Sequence, residues 1–276
     1  MITTLLQRHY GGLAATALAL AVLAGPALAQ APAAAEPPQA AAILKGMSEY
    51  LSKAPRYSVD VKDSYDVYQK SGQKIEFSEN RKITMVRPDR LRIDVTASDG
   101  DQQVLTMNGK GITLATPNKN VYAQIEKAGS LDEAIVHFVR DLGMRLPFAA
   151  LLISTASAEI AQRTQALDYV EKTSIYGVPA HHIAGRTESV DYQVWITDGD
   201  KPLPLRLVLT YRTAEGQPQF RAQFSNWNFE PQVPDSLFTF VPPQGAQRIA
   251  FLAQLPASAA PGKAKPVKAA KSGESK

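Results

Sequence analysis

The sequence predicts a mainly β protein with helical insertions (α+β): a single curved antiparallel sheet of about eleven strands, forming a half-open barrel under a helical lid. Three observations carry that expectation. Period-two alternation of apolar and polar residues dominates the chain from Tyr57 to Phe224, turn dipeptides cut it at short intervals, and one apolar stretch of helical character, from Leu131 to Ile153, interrupts the strands midway.

Taken in order, the first element is a helix over residues 39–51, where Ile43, Met47 and Tyr50 recur at helical spacing and Pro55 ends it. Strands follow. Tyr57, Val59 and Val61 alternate with Ser58, Asp60 and Lys62; Ile75 and Phe77 with Glu76 and Ser78; Leu91, Ile93 and Val95 with Arg92 and Asp94. Such alternation marks half-buried antiparallel strands. Turns at Ser71-Gly72, Asp99-Gly100, Asn108-Gly109 and Pro117-Asn118 divide this half into about six of them. Ser130-Leu-Asp-Glu133 is a capping box, with Asp132 also favoured at the positive end of a helix dipole. Leu131, Ile135, Phe138 and Leu142 follow on one face, Gly143 closes the helix, and Pro147 opens a second apolar run that includes Phe148 and Leu152. An apolar insertion of this kind either packs as core against the sheet or covers an opening in it. In the second half, Val190, Tyr192, Val194 and Ile196 share one face and Leu205, Leu207, Leu209 and Tyr211 line the next strand; Phe220, Ala222 and Phe224 complete the pattern.

The termini differ in kind from this domain. Arg8 and His9 precede the apolar run Leu13–Ala24, too short to span a bilayer, and the small-residue site Ala27-Leu-Ala29 follows. The expectation is a secretory signal over residues 1–29, a disordered Ala/Pro linker over 30–38, one domain over 39–252 and a disordered Lys/Pro/Ala-rich tail over 253–276. With no cysteine in the chain, neither a lipidated N-terminus nor a disulfide framework is available, so a soluble periplasmic monomer held by its core is expected. Of the 30 basic and 26 acidic residues, the signal holds one basic residue and the tail five basic and one acidic, leaving 24 and 25 on the remainder. The surplus of positive charge therefore belongs to the tail. A nucleic-acid partner is not expected, because the domain lacks a basic patch with interleaved aromatics. Transient contact with an anionic membrane surface is the role the tail's Lys263, Lys265, Lys268, Lys271 and Lys276 suit.

Arg87-Pro-Asp-Arg-Leu-Arg-Ile93 and the closing run Phe238-Thr-Phe-Val-Pro-Pro-Gln-Gly245 resemble the corresponding segments of the LolA/LolB-like lipoprotein carriers. Gly177-Val-Pro-Ala-His-His182, Val190–Ile196 and Gly199-Asp-Lys-Pro-Leu-Pro204 are similar to hallmarks of a bacterial family of predicted periplasmic proteins of unknown function (domain of unknown function 2092) in that superfamily. Ala180 departs from that family, whose members often carry Cys there. The resemblance implies a LolA-like half-barrel whose cavity takes acyl chains. It also implies that Arg87 reaches the lid and donates to its carbonyls, which a planar guanidinium does well; the residues alone leave open that Arg87 ends an edge strand in solvent. Phe238 and Phe240 are expected to close the core.

Lid and cavity candidates for an apolar ligand are therefore Arg87, Leu131, Ile135, Phe138, Leu142, Phe148, Leu152, Tyr192, Val194, Leu207 and Leu209. No Cys nucleophile, Gly-x-Ser-x-Gly elbow, His-Glu-x-x-His motif or glycine-rich phosphate loop is present, so neither a catalytic residue nor a cofactor is expected. His181 and His182 are adjacent on a strand and face opposite ways, which argues against a shared metal. Asp198-Gly-Asp200 reads as a hairpin turn. Three functions follow: a carrier for a lipid, an acyl chain or a lipoprotein; an envelope sensor that uses the same fold to contact a protein partner; and, with the least support, a hydrolase. The signal generates one direct expectation. N-terminal sequencing of the exported protein should begin at Gln30, and a mature chain that begins before it would overturn the assignment of the cleavage site.

Overall fold

The first helix, α1 (Pro37–Lys53), starts two residues before the expected one and buries Ala40, Leu44, Met47 and Leu51 as its inner stripe. The structure, a computed structural model, describes Pro37–Phe251; the expected signal, most of the linker and the tail lie outside the described residues. Six strands follow α1: β1 (Arg56–Tyr68), β2 (Lys74–Val86), β3 (Arg90–Ala97), β4 (Gln102–Asn108), β5 (Gly111–Thr116) and β6 (Val121–Glu126). Helix α2 (Leu131–Val136) opens the helical insertion, and α3 (Ala156–Arg163) follows it. Five long strands come next: β7 (Ala166–Ile175), β8 (Val178–Arg186), β9 (Val190–Thr197), β10 (Pro204–Tyr211) and β11 (Gln219–Asn228). A short β12 (Gln247–Ile249) ends the series.

Among the described residues these strands make one 12-stranded sheet, ordered β12-β6-β5-β4-β3-β2-β1-β11-β10-β9-β8-β7. The two halves of the chain join where β1 pairs with β11, Val61 opposite Phe224 and Tyr65 opposite Phe220. Its outermost strands, β12 and β7, do not pair with each other, so the half-barrel stays open. The count exceeds the expected eleven by β12, which lies parallel to β6 and is the exception to the antiparallel rule. Three residues without alternation leave no periodic signal to detect.

The core lies on the concave face, between the sheet and the helices. Val59, Val61, Ile83, Met85, Leu91, Ile93, Leu105, Met107 and Ile112 pack there from the first half, and Ile183, Val194, Ile196, Leu207, Phe220 and Phe224 from the second. At the tip of the β1–β2 hairpin the pattern departs from expectation. Val67, Ile75 and Phe77 continue the same face but are 36%, 39% and 42% exposed, because the hairpin outruns the helical layer.

The insertion begins as expected. The Ser130 side chain accepts from the Glu133 backbone N–H, and the Ser130 N–H donates to the Glu133 carboxylate at 2.8 Å. From His137 to Asp141 the helix widens to a π-helical turn, with Leu142 N–H donating to the His137 carbonyl five residues back, and Gly143 at φ 66° ends it. The second apolar run forms only a 3-10 turn at Ala149–Leu151, while α3, which the apolar pattern did not signal, follows. Its composition, Ala-Ser-Ala-Glu-Ile-Ala-Gln-Arg, is rich in strong helix formers but carries one large apolar residue.

The end of β2 holds both ends of this insertion. Leu131 N–H donates to the Pro88 carbonyl at 2.8 Å where α2 begins, and Arg87 Nη2 donates to the Leu152 carbonyl at 3.0 Å where the apolar run ends. Arg87 Nη1 is 3.6 Å from Asp132, whose carboxylate accepts the Ser154 N–H at 3.0 Å. Arg87 therefore does not end an edge strand in solvent: β2 lies between β1 and β3, and the guanidinium is largely covered.

The closing run departs from expectation. Phe238 is buried, but on the convex face, with Arg90 lying 5.5 Å over its ring and Arg92 donating to the Leu237 carbonyl. Phe240 is half-buried against Tyr122 on that same face. Neither joins the core, because their segment passes over the backs of β3 to β6, where Thr106 and Thr113 are covered. The ring that does reach the core is Phe251, 6.5 Å edge-on from Phe138.

Replacing Arg87 by Leu removes a hydrogen bond and leaves the Leu152 carbonyl unpaired. The expected cost is about 1–3 kcal/mol, read as a fall in Tm and as faster amide exchange through residues 148–163. Arg87→Lys should recover only part of it, since an ammonium cannot span both acceptors as a planar fork does. An unchanged Tm for Arg87→Leu would show that the two ends are held by something else.

Candidate functional site

The eleven sequence-derived candidates fall into three groups. Leu131, Ile135, Phe138, Leu142, Phe148, Leu152, Val194 and Leu207 are buried together in the concave core, where the insertion packs directly onto the sheet. Tyr192 and Leu209 are partly buried against that core. Arg87 stands apart, at the end of the sheet where the chain passes from α1 into β1. None of them lines the half-open cavity beside α1.

That cavity, of about 330 Å³, lies between α1, α3 and the start of β7. Two matched stripes build it. On α1 they are Ala41, Leu44, Lys45 and Ser48, and on α3 they are Ser157, Ile160, Ala161 and Thr164. Both run i, i+3, i+4, i+7, the spacing that places four side chains on one helical face. Ala41, Ser48, Ser157 and Ala161 are too short to fill the space between the helices, so a gap remains beside β7, where Gln165, Ala166 and Leu167 complete the wall.

The wall is less polar than its residue types suggest. Ser48 Oγ donates to the Leu44 carbonyl at 2.8 Å, and Thr164 Oγ1 to the Ile160 carbonyl at 2.7 Å, so both hydroxyls direct their protons within their own helices. Tyr192 Oη lies 2.8 Å from Thr164 Oγ1 and, with that hydroxyl already donating, is the donor. This bond ties the end of α3 to β9. It needs Gly185 on the neighbouring strand, where an added Cβ would lie 2.1 Å from the Tyr192 ring. Burial raises the Tyr192 phenol above its ordinary value, so it remains a neutral donor. Lys45 supplies the charge at the mouth, 67% exposed and 3.6 Å from Glu49.

A second polar feature sits on the concave face. Asp63 is buried, with its side chain fully covered, and takes 2.7 Å and 3.3 Å hydrogen bonds from Arg81, which also pairs with Glu79 and lies 5.8 Å over the Phe148 ring. Burial pushes the Asp63 carboxyl up, and Arg81 opposes the shift. This cluster marks where the continuous core gives way to the exposed hairpin tip.

The histidines separate as expected. His181 lies 3.1 Å from Tyr169 Oη and 3.1 Å from Asp198, while His182 stacks on Trp195 at 4.1 Å. Burial lowers the pKa of His182. Among the described residues no group of three His, Cys, Asp or Glu is placed to hold a metal, and no helix is long and apolar enough to cross a membrane.

The cavity escaped the sequence reading because its lining consists mainly of small residues. A stripe of Ala and Ser at helical spacing is the only signal, and it becomes informative once α3 is known to face α1.

No curated protein matches this chain. Among solved structures it is similar to an uncharacterized conserved protein of Thermus thermophilus, at 10% identity over 77% of this chain and 99% of that one, with a TM-score of 0.46. It is similar to the lipoprotein LppX of Mycobacterium tuberculosis at 14% identity, covering 72% of this chain and 100% of that one, with a TM-score of 0.44. A LolA superfamily protein of Nitrosomonas europaea gives 12% identity over 73% of this chain and 97% of that one, with a TM-score of 0.35. Residues 40–252 match the profile of the family described as predicted periplasmic protein (DUF2092). With the greater part of its length matched, the chain belongs to the DUF2092 family of predicted periplasmic proteins.

Proposed function

We propose that this protein is a periplasmic, non-catalytic binding protein or carrier for an apolar ligand, a lipid or an acyl chain, taken up in the cleft between α1 and α3. The observation that carries the reading is the cavity itself: about 330 Å³ of space walled by Leu44, Ile160, Leu167 and three alanines, with the wall hydroxyls of Ser48 and Thr164 already donating elsewhere. Small-molecule sites run from about 300 to 1,000 Å³ and are mostly apolar with a few polar groups at fixed points. Binding rather than turnover suits this wall, which among the described residues has no His, Cys or carboxylate to act as nucleophile or base. The resemblance of Arg87–Ile93 and Phe238–Gly245 to the lipoprotein carriers supports the same class of ligand.

Sensing through a protein partner is the second reading, favoured by Val67, Ile75 and Phe77 on the open hairpin tip. A stable partner recovered with the protein and lost on Phe77→Ser would support it.

Filling the cleft tests the carrier reading. Ala161→Phe should abolish uptake of a fluorescent fatty acid while leaving Tm unchanged or raised, since the ring occupies existing space. Phe138→Ala, in the packed core 6.5 Å from Phe251, should instead cost about 3–5 kcal/mol. Mass spectrometry of protein purified from its native envelope should detect co-purifying lipid in wild type and none in Ala161→Phe. Undiminished uptake by Ala161→Phe would move the ligand elsewhere.

A further inference from the structure

We infer that the ligand of the α1–α3 cleft is a single-chain amphiphile with one anionic headgroup; this inference rests on the carrier reading and narrows it.

Chain number follows from volume. A cavity of about 330 Å³ stands at the small end of the roughly 300–1,000 Å³ range of small-molecule sites. One medium-length chain fills it. Two long chains need more space, and Phe138, Leu142, Phe148 and Leu152 beside the cavity are each buried against the sheet.

Charge follows from the mouth. Among the described residues Lys45 is the one ionisable side chain that lines the cavity. Its partner Glu49 is 3.6 Å away, and Glu49 is also held by Lys53 at 3.3 Å, so one carboxylate is divided between two ammonium groups and a net positive charge remains beside the opening. The two lysines hold the Glu49 carboxyl below its ordinary value, so this balance persists at neutral pH. Of the wall hydroxyls, Ser48 and Thr164 donate to backbone carbonyls, while Ser157 and the Gln165 amide complete the polar part of the lining. The arrangement fits an apolar chain inserted between the helices with its anionic end at Lys45. Carboxylate and phosphate headgroups share that chemistry.

Competition against a fluorescent fatty acid separates the cases, with four probes: decanoate, decyl phosphate, decanol and didecanoyl phosphatidylglycerol. Wild type should bind the two single-chain anions about fivefold more tightly than decanol, the ratio a partly exposed ion pair supplies, and the two-chain lipid most weakly. Lys45→Gln should bring the anions down to the level of decanol and leave decanol unchanged; Glu49→Gln should strengthen the anions only. A preference between decanoate and decyl phosphate identifies the headgroup.

Equal affinity for decanoate and decanol in wild type, or tighter one-to-one binding of the two-chain lipid, would overturn the inference while leaving the carrier reading intact. Failure of all four probes, with Ala161→Phe indistinguishable from wild type, would overturn both.

Discussion

Arg87 and Pro88 at the end of β2 hold the helical insertion at both ends, and the arrangement of the concave face depends on that constraint. The Pro88 carbonyl takes the N–H of Leu131 as α2 begins, and Arg87 donates to the carbonyl of Leu152 as the apolar run ends. Asp132 closes the loop by pairing with Arg87 and accepting from Ser154. The chain from Leu131 to Leu152 is thereby returned to nearly the place it left, so Leu131, Ile135, Phe138 and Phe148 all press on the sheet. The guanidinium is covered and its Nε has no partner, so this is a tightly enclosed polar knot in which the remaining bonds carry the compensation.

The position of the cavity follows from that return. After Ser154 the chain has only α3 in which to cross back to β7, and α3 crosses beside α1. Here the facing stripes hold Ala41 and Ser48 against Ser157 and Ala161, and a half-open groove is left along the pair beside β7. Tyr192, lying across Gly185 to reach Thr164, fixes the far end of α3 to the sheet. The groove is thus bordered on three sides, by α1, β7 and α3.

The convex face shows a different pattern of burial. Its β3–β6 portion is covered by the segment from Pro231 to Phe240, which places Phe238 under Arg90 and Phe240 on Tyr122. The chain then pairs as β12 along β6 and brings Phe251 into the core against Phe138. One segment therefore contacts both faces of the sheet and also covers the backbone edge that β6 would otherwise expose.

The strands, their turns and the start of the insertion were determined by local sequence. Alternation at Tyr57–Val61 or Val190–Ile196 states which side of each strand is buried, the Gly turns state where each strand ends, and the Ser130–Glu133 box states where α2 begins, because each depends on neighbours within a few residues. What only the tertiary structure decided depends on distant partners. Ile75 and Phe77 alternate like buried residues but lie beyond the reach of the helical layer; Phe238 is apolar and buried, yet on the face away from the core. The cleft is the clearest case, since it opens along two facing stripes of small residues, and smallness in one helix has no meaning until the fold selects the helix that faces it.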